Sequence, residues 1–273
     1  MYPGREVFAN SPLEFVAAEI RYPYAPRLRQ QDVRDAILAE LDDLVPILRS
    51  QQQMTVTGLG AGTVSPQLDQ ITRAFNRTST LGVTVTANNL TVDTTNYQDF
   101  TGFRDVVCRC VTALDKHVSP AAVERVGLRY INEIRVPVAV RSVRDWHGWI
   151  SDALVDVVAV NQEHEAVNLQ GVVQYALEEH RSLVFRFAAA PEGAMIGNEP
   201  LRRRRPPSGG PFFALDFDSF WQPPVEASPA WMVDTIMTTL DQLHAPIGTV
   251  FQSALTDKLR KTVLRRSNDA PIN

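Results

Sequence analysis

The chain has 273 residues, of which 44% are hydrophobic, and a formal net charge of −4 at pH 7. This composition supports a folded core and argues against disorder, and the net charge gives no general attraction to nucleic acid or to an anionic membrane. No apolar run approaches the roughly 20 residues that span a bilayer, and the first residues lack the apolar segment of a signal peptide, so we expect a cytoplasmic protein without a membrane partner.

The first distinctive pattern is an extended segment over residues 13–22, which follows a turn at Asn10-Ser11-Pro12. Its apolar residues fall on both faces, which is typical of a strand inside a sheet rather than at its edge. Residues 27–53 then show apolar spacing of three and four, which predicts a helix that Pro46 ends or kinks near Asp43.

A β-rich region follows. We expect loop or short strand over 54–70, a strand over 75–81, and a hairpin that turns at Asn88-Asn89. Apolar periodicity predicts a helix over 100–118, and a long apolar segment predicts a strand over 126–140.

The remaining chain repeats these types of element. The patterns predict a helix over 143–160, a hairpin over 167–190 that turns at 178–181, and a loop over 191–211. A strand over 212–217 and helices over 229–243 and 247–264 complete the prediction.

Two parts of the chain resemble each other. Val92-Asp93 ends one strand and is followed by an apolar helix, and Leu215-Asp216 does the same in the second half. We therefore expect an α+β fold, a mostly antiparallel sheet packed by helices, with an internal duplication of a β-β-β-α unit. The two halves would be residues 1–160 and 161–273, within one compact domain or as two.

Three motifs resemble the signatures of a sporadically distributed bacterial family of about this length. They are F-A-N-x-P-L-x-x-V-x-x-E-I-R at 8–21, G-L-R-Y-I-N-x-I at 127–134 and F-x-x-x-L-T-D-K-L at 251–259. The resemblance spans nearly the whole chain. It implies a cytosolic bacterial protein and supplies no catalytic residue.

Acidic residues offer one candidate for chemistry. Asp216 and Asp218 share one face of the predicted strand, and Asp93 occupies the corresponding place in the first half. Paired carboxylates are the ligands of a divalent metal in phosphotransfer enzymes and nucleases. The alternative is that Asp218 marks the end of the strand and accepts hydrogen bonds from loop amides.

Other motifs carry less chemistry. Gly58-x-Gly60-x-Gly62 lacks the strand, helix and lysine of a phosphate-binding loop, so a connector is favoured. Cys108 and Cys110 are expected as reduced core residues. No two histidines have the spacing of a helical zinc site, and we expect His117 and His244 at helix ends, where an imidazolium interacts favourably with the helix dipole.

Basic and aromatic residues indicate a contact surface. Arg202, Arg203, Arg204 and Arg205 lie in the predicted loop, where they would bind phosphates or an acidic partner unless they are only solvated. Trp221 is a further candidate contact, although core packing is the main expectation for the tryptophans.

These features lead to three hypotheses. The first is a non-catalytic interaction or regulatory protein without cofactor, such as a component of a bacterial defence or toxin–antitoxin-like system, that uses a mobile arginine-rich loop. The second is a metal-dependent phosphotransfer enzyme or nuclease with Asp93, Asp216 and Asp218. The third is a nucleic-acid binder through Arg202–Arg205. Free sheet edges also predict a homo-oligomer.

Overall fold

The computed structural model describes residues 6, 8–57, 65–197, 200–206 and 209–266. Within these residues, nine strands form one antiparallel sheet, which confirms the predicted α+β class. The strands are β1 Leu13–Arg21, β2 Ile47–Thr57, β3 Ser65–Phe75, β4 Leu81–Val85, β5 Asn89–Thr94, β6 Arg125–Ile134, β7 Leu169–Ala176, β8 Arg181–Ala190 and β9 Phe212–Trp221. Their order across the sheet is β2-β3-β4-β5-β1-β6-β9-β8-β7.

Strand β1 lies at the centre of this sheet, as its two apolar faces predict. It pairs with β5 on one side and with β6 on the other. Val16, Ala18 and Ile20 on one face are fully buried, whereas Ala17 and Glu19 on the other face are half-buried. One face of the sheet therefore carries the core, and the other is partly open.

Helices cover the core face. They are α1 Gln31–Ala39, α2 Phe100–His117, α3 Val233–Ala254 and the short α4 Asp257–Leu259, which continues into a π turn, Arg260–Leu264. Helix α3 packs on β6, β8 and β9, whereas α2 packs on β5 and against α1. Asp99 caps the N-terminus of α2, because its carboxylate accepts a hydrogen bond from the Gly102 amide at 2.8 Å.

One predicted helix is shorter than expected, and another is wrong. Residues 27–53 contain a 3₁₀ turn, Pro26–Arg29, and α1, but the chain then turns and enters β2. The pairing of β2 with β3 outweighs the local helical spacing there. Residues 143–160 form only three 3₁₀ segments, Val143–Trp146, Asp152–Leu154 and Asp156–Val160. Gly148 interrupts this region at a φ of 76°, which a helix does not permit.

The predicted strand over 75–81 is a turn instead. The Asn76 side-chain oxygen accepts the amide hydrogens of Thr80 and Leu81 at 2.8 and 3.1 Å, and Ser79 adopts a φ of 54°. An asparagine that closes a turn in this way competes with strand pairing. Strand β3 therefore ends at Phe75, and β4 begins at Leu81.

The bounds of three other elements, β6, β9 and α3, also differ from the predicted ones. Strand β6 ends at Ile134, while β9 continues to Trp221, so Asp218 lies inside the strand and not at its end. The last two predicted helices are mainly one, since α3 passes through Pro246. Both hairpins, with turns at residues 86–88 and 177–180, are confirmed.

The predicted repeat was a β-β-β-α unit, and in chain order β3, β4 and β5 are followed by α2, while β7, β8 and β9 are followed by α3. In the sheet, the strands β3-β4-β5-β1 on one side of the β1–β6 contact mirror β7-β8-β9-β6 on the other. This order is compatible with the predicted duplication, which stays a hypothesis. In the described part of the chain, no helix is both long and apolar enough to cross a membrane.

Candidate functional site

The structure does not bring the three predicted metal ligands together. Asp93 lies on β5, whereas Asp216 and Asp218 lie on β9, with β1 and β6 between them. Three strand spacings of about 4.8 Å each separate β5 from β9. The described residues contain no group of three or more His, Cys, Asp or Glu that could hold a metal ion.

Each of these carboxylates is instead bound to arginine on the partly open face. Arg73 donates to Asp93 at 2.5 Å, and Arg129 donates to both oxygens of Asp216 at 2.8 Å. Arg125 bridges Asp218 and Glu19. Burial outweighs the Arg73 charge and raises the pKa of Asp93. The three aspartates thus belong to cross-strand ion pairs of the sheet.

Glycine makes room for this layer. A Cβ atom at Gly127 would meet the Arg125 guanidinium, whose carbon lies 4.7 Å from the Phe220 ring centroid. A Cβ atom at Gly82 would lie 2.6 Å from atoms of both Arg73 and Asp93. Gly127 of the central motif therefore leaves room for the ion pairs of Arg125 with Glu19 and Asp218, which is a structural role.

The arginine-rich segment is not a solvated loop throughout, because its side chains alternate. Arg202 and Arg204 are exposed, Arg203 is only 7% exposed, and Arg205 is half-buried. Arg203 donates to Glu133 at 2.7 Å and lies 3.1 Å from Glu14. Of the four predicted contact residues, Arg203 is therefore buried and Arg205 is half-buried, which leaves Arg202 and Arg204 exposed.

This segment is also anchored, contrary to the expected mobile loop. The Arg202 amide donates to the Ser79 carbonyl at 2.7 Å, and the Thr95 hydroxyl donates to the Arg202 carbonyl at 2.5 Å. Arg205 donates to the Asn10 side chain at 2.7 Å. Burial acts to lower the pKa of Arg203, but the hydrogen bonds to Glu133 and the negative charges of Glu14 and Glu133 outweigh burial and raise this pKa.

The exposed arginines meet two others in one cleft of about 1020 Å³, which we call the basic cleft. Arg49 comes from β2, Arg77 from the β3–β4 turn, and Arg202 and Arg204 from the anchored segment. Residues 78–80, two threonines and a serine, line the cleft with hydroxyl groups. No Asp or Glu is among the described residues that line it. The cleft therefore presents concentrated positive charge on a chain of negative net charge.

Several contacts hold this charge in place. The Arg49 guanidinium lies 5.1 Å from the Phe75 ring centroid and donates to the Ser79 hydroxyl at 3.3 Å. Burial and the neighbouring Arg204 charge lower the pKa of Arg205, as expected beside an excess of positive charge. An arginine held by an aromatic ring or by the backbone loses less entropy when it binds an anion.

A second cavity, of about 280 Å³, lies beside the cleft and shares Arg204 with it. All three family-like motifs contribute to it, so we call it the motif pocket. Its walls include Phe8 and Leu13 of the first motif, Tyr130 and Asn132 of the second, and Phe251 of the third, together with Tyr97, Gln98, Phe217, His244 and Gly248. Phe8 and Phe251 pack edge to face, with ring centroids 6.4 Å apart.

A polar chain crosses this pocket. The Tyr97 and Tyr130 hydroxyl oxygens are 3.2 Å apart, and the Tyr130 oxygen is 3.3 Å from His244 Nδ1. His244 stacks on Phe100 at a centroid distance of 4.0 Å. The predicted place of His244 at a helix end is wrong, because it lies within α3, whereas His117 does end α2.

Other singled-out residues have structural surroundings. Trp146, Trp149 and Trp231 are buried, as expected, and Trp221 is half-buried at the end of β9. Cys110 is buried, and burial raises the pKa of its thiol to about 12. Gly58, Gly60 and Gly62 lie outside the described residues.

Sequence reasoning missed Arg49, Arg77 and Tyr97. The sequence predicts a helix at Arg49 and a strand at Arg77, and neither prediction indicates the segment at residues 202–204, at least 125 residues further along, that completes the cleft. Only the first-half turn signal at Asn76 could have shown that Arg77 lies in a loop.

Comparison with known protein-family models and with curated proteins finds no match to this chain. The three-motif resemblance therefore stays a prediction, and the geometry of the site carries the functional argument.

Proposed function

We propose that this chain is an interaction protein that binds an acidic segment of a protein partner in the basic cleft. The observation that supports this best is the convergence of Arg49, Arg77, Arg202 and Arg204 on one concave surface that lacks a described carboxylate. Guanidinium groups form paired hydrogen bonds with carboxylates, and such charge-assisted bonds are among the strongest. The proposal includes a role for this interaction in regulation or in a bacterial defence system.

The metal-dependent alternative has less support. Asp93, Asp216 and Asp218 lie on two separated strands and are held by arginines that a metal ion would have to displace. Displacement would leave buried or half-buried guanidinium groups without their carboxylate partners, which is costly.

Charge reversal tests the proposal. We expect Arg77→Glu with Arg202→Glu to abolish capture of an acidic partner from a lysate of the native host, because the cleft would then repel it. With a labelled glutamate-rich peptide, each single Arg→Ala change should weaken binding about tenfold, since one charge-assisted hydrogen bond contributes roughly 1.5–3 kcal/mol.

Arg27→Glu is the matched control, because Arg27 is exposed in a 3₁₀ turn and does not line the cleft. Combined with Arg29→Glu, an exposed residue of the same turn that does not line the cleft either, it makes the same change of net charge as the double reversal and should leave capture intact. If the double reversal captures the same partners and binds the peptide as well as the wild type does, the basic cleft is not the recognition surface.

Nucleic acid is a second candidate for the same cleft, because hydroxyl side chains beside arginine also suit phosphate oxygens. This candidate predicts that affinity for a labelled single-stranded oligonucleotide falls steeply with salt, with a log–log slope that becomes smaller in Arg77→Ala. A slope near zero, or no difference between the variant and the wild type, would argue against it.

A further inference from the structure

The motif pocket has features of a ligand site that the basic cleft does not explain. Its wall contains five aromatic side chains around one space: Phe8, Tyr97, Tyr130, Phe217 and Phe251. Aromatic rings here meet edge to face: Phe217 and Phe251 at 6.2 Å and 85°, and Tyr97 and Tyr130 at 5.5 Å and 79°. Such walls favour a flat aromatic ring as the occupant.

Polar groups lie at defined places in this wall. The hydroxyls of Tyr97 and Tyr130 and the ring of His244 form one hydrogen-bonded chain, and the amides of Gln98 and Asn132 add donors and acceptors. A mostly apolar pocket with a few oriented polar groups is the usual form of a small-molecule site. A heterocycle with hydrogen-bonding edges matches this wall better than a plain hydrocarbon does.

The charge of the pocket favours an anion at its mouth. Arg204 lines both the pocket and the basic cleft. The acidic residue at the pocket, Glu6, is already paired with Arg265 at 2.5 and 2.9 Å. An anionic group beside the ring would therefore meet Arg204 and the positive cleft beyond it.

Volume limits the size of the occupant. The pocket holds about 280 Å³, slightly below the roughly 300 Å³ at which drug-sized sites begin. We propose that the motif pocket binds a nucleoside monophosphate, with its base among the aromatic side chains and its phosphate on Arg204. This goes beyond recognition of an acidic partner, because the base would occupy a cavity that Arg77 and Arg202 do not line.

Calorimetric titration of the full chain with AMP, GMP, CMP and UMP tests the proposal. At least one of them should bind with one-to-one stoichiometry below about 1 mM and raise the unfolding temperature. The corresponding nucleoside should bind about tenfold more weakly, because it lacks the charge-assisted contact with Arg204.

Two variants with matched controls give the decisive comparison. Arg204→Ala should remove the difference between monophosphate and nucleoside, while Arg27→Ala, which removes an exposed arginine that lines neither the pocket nor the cleft, should preserve it. Gly248→Leu places a side chain in the pocket wall of α3 and should abolish binding. Thr249→Leu, at the next and exposed position, should not.

The outcomes separate this proposal from the preceding one. If no monophosphate binds, if inorganic phosphate or benzoate alone binds as well as the monophosphates do, or if Gly248→Leu binds normally, the nucleotide site is wrong. Loss of acidic-peptide binding in Arg77→Ala with normal nucleotide binding would support both sites, since Arg77 lines only the cleft.

Discussion

At the residue scale, the neighbouring residues Arg202 and Arg203 are in different environments, although nothing in the local sequence distinguishes them. Arg203 lies between Glu133 and Glu14 with its side chain only 3% exposed, whereas Arg202 is exposed. Burial raises the pKa of Glu14, although the Arg203 charge acts against it. Removal of Arg203 would leave two carboxylates in a poorly hydrated place without their cation.

We therefore expect Arg203→Ala to lower the free energy of unfolding by about 3–5 kcal/mol, measured by urea denaturation at pH 7. Arg202→Ala is the control, and a surface change of this type should stay within about 0.5 kcal/mol. Equal stability of the two variants would show that the Glu14–Arg203–Glu133 contact contributes little.

A second residue-scale prediction concerns pH. The backbone amides of Arg141 and Ser142 donate to the Asp145 carboxylate at 2.7 and 2.9 Å and lower its pKa. Because the folded-state pKa is below the unfolded value of about 3.8, Asp145 stabilises the fold above that value and loses this effect as the pH falls through its folded pKa.

Asp145→Asn should consequently be less stable than the wild type at pH 7, by at most about 1 kcal/mol because the carboxylate is exposed to solvent. The gap should narrow below about pH 3.8, which denaturant melts across the acidic range would measure. A gap that stays constant down to pH 2 would contradict this account.

At the element scale, the sheet ends in β7, whose outer edge has no described strand beside it. Val172 is 66% exposed, and Val173 and Tyr175 are 38% and 40% exposed. An apolar edge of this kind is a template for pairing with a second copy.

We expect the chain to self-associate through β7, so that Val172→Lys shifts the protein towards the monomer in analytical ultracentrifugation. Val160→Lys serves as the control, since Val160 is 90% exposed but lies outside the sheet. A wild type that stays monomeric at high concentration would rule out this interface.

At the scale of the whole molecule, the β6–β9 pair joins the two predicted halves, residues 1–160 and 161–273. Residues 126–134 of β6 pair without a break with residues 213–221 of β9, and both strands have buried core faces. A boundary near residue 160 therefore does not divide the described sheet into independent parts.

This arrangement predicts one cooperative unfolding transition. The four tryptophans lie between residues 146 and 231 and report on the C-terminal part, while far-ultraviolet circular dichroism reports on the whole sheet. The two signals should give the same midpoint in urea. Two separated transitions would show that the halves unfold independently.

Local patterns determined much of the architecture. The interior position of β1 in the sheet, the two hairpins and helix α2 follow from side chains two to four positions apart, and this spacing is visible in the sequence. The same reasoning failed over 47–53 and 143–160, where long-range strand pairing and a glycine at positive φ outweigh helical spacing.

Only the tertiary structure decided how the candidate ligands group. Strand order separates Asp93 from Asp216 and Asp218, while the fold brings Arg49 and Arg77 to Arg202 and Arg204. It also gathers the three motifs around one pocket. The physical reason is that these groupings depend on pairing between strands and on buried ion pairs such as Arg203–Glu133, whose partners are far apart in the chain and leave no local periodicity.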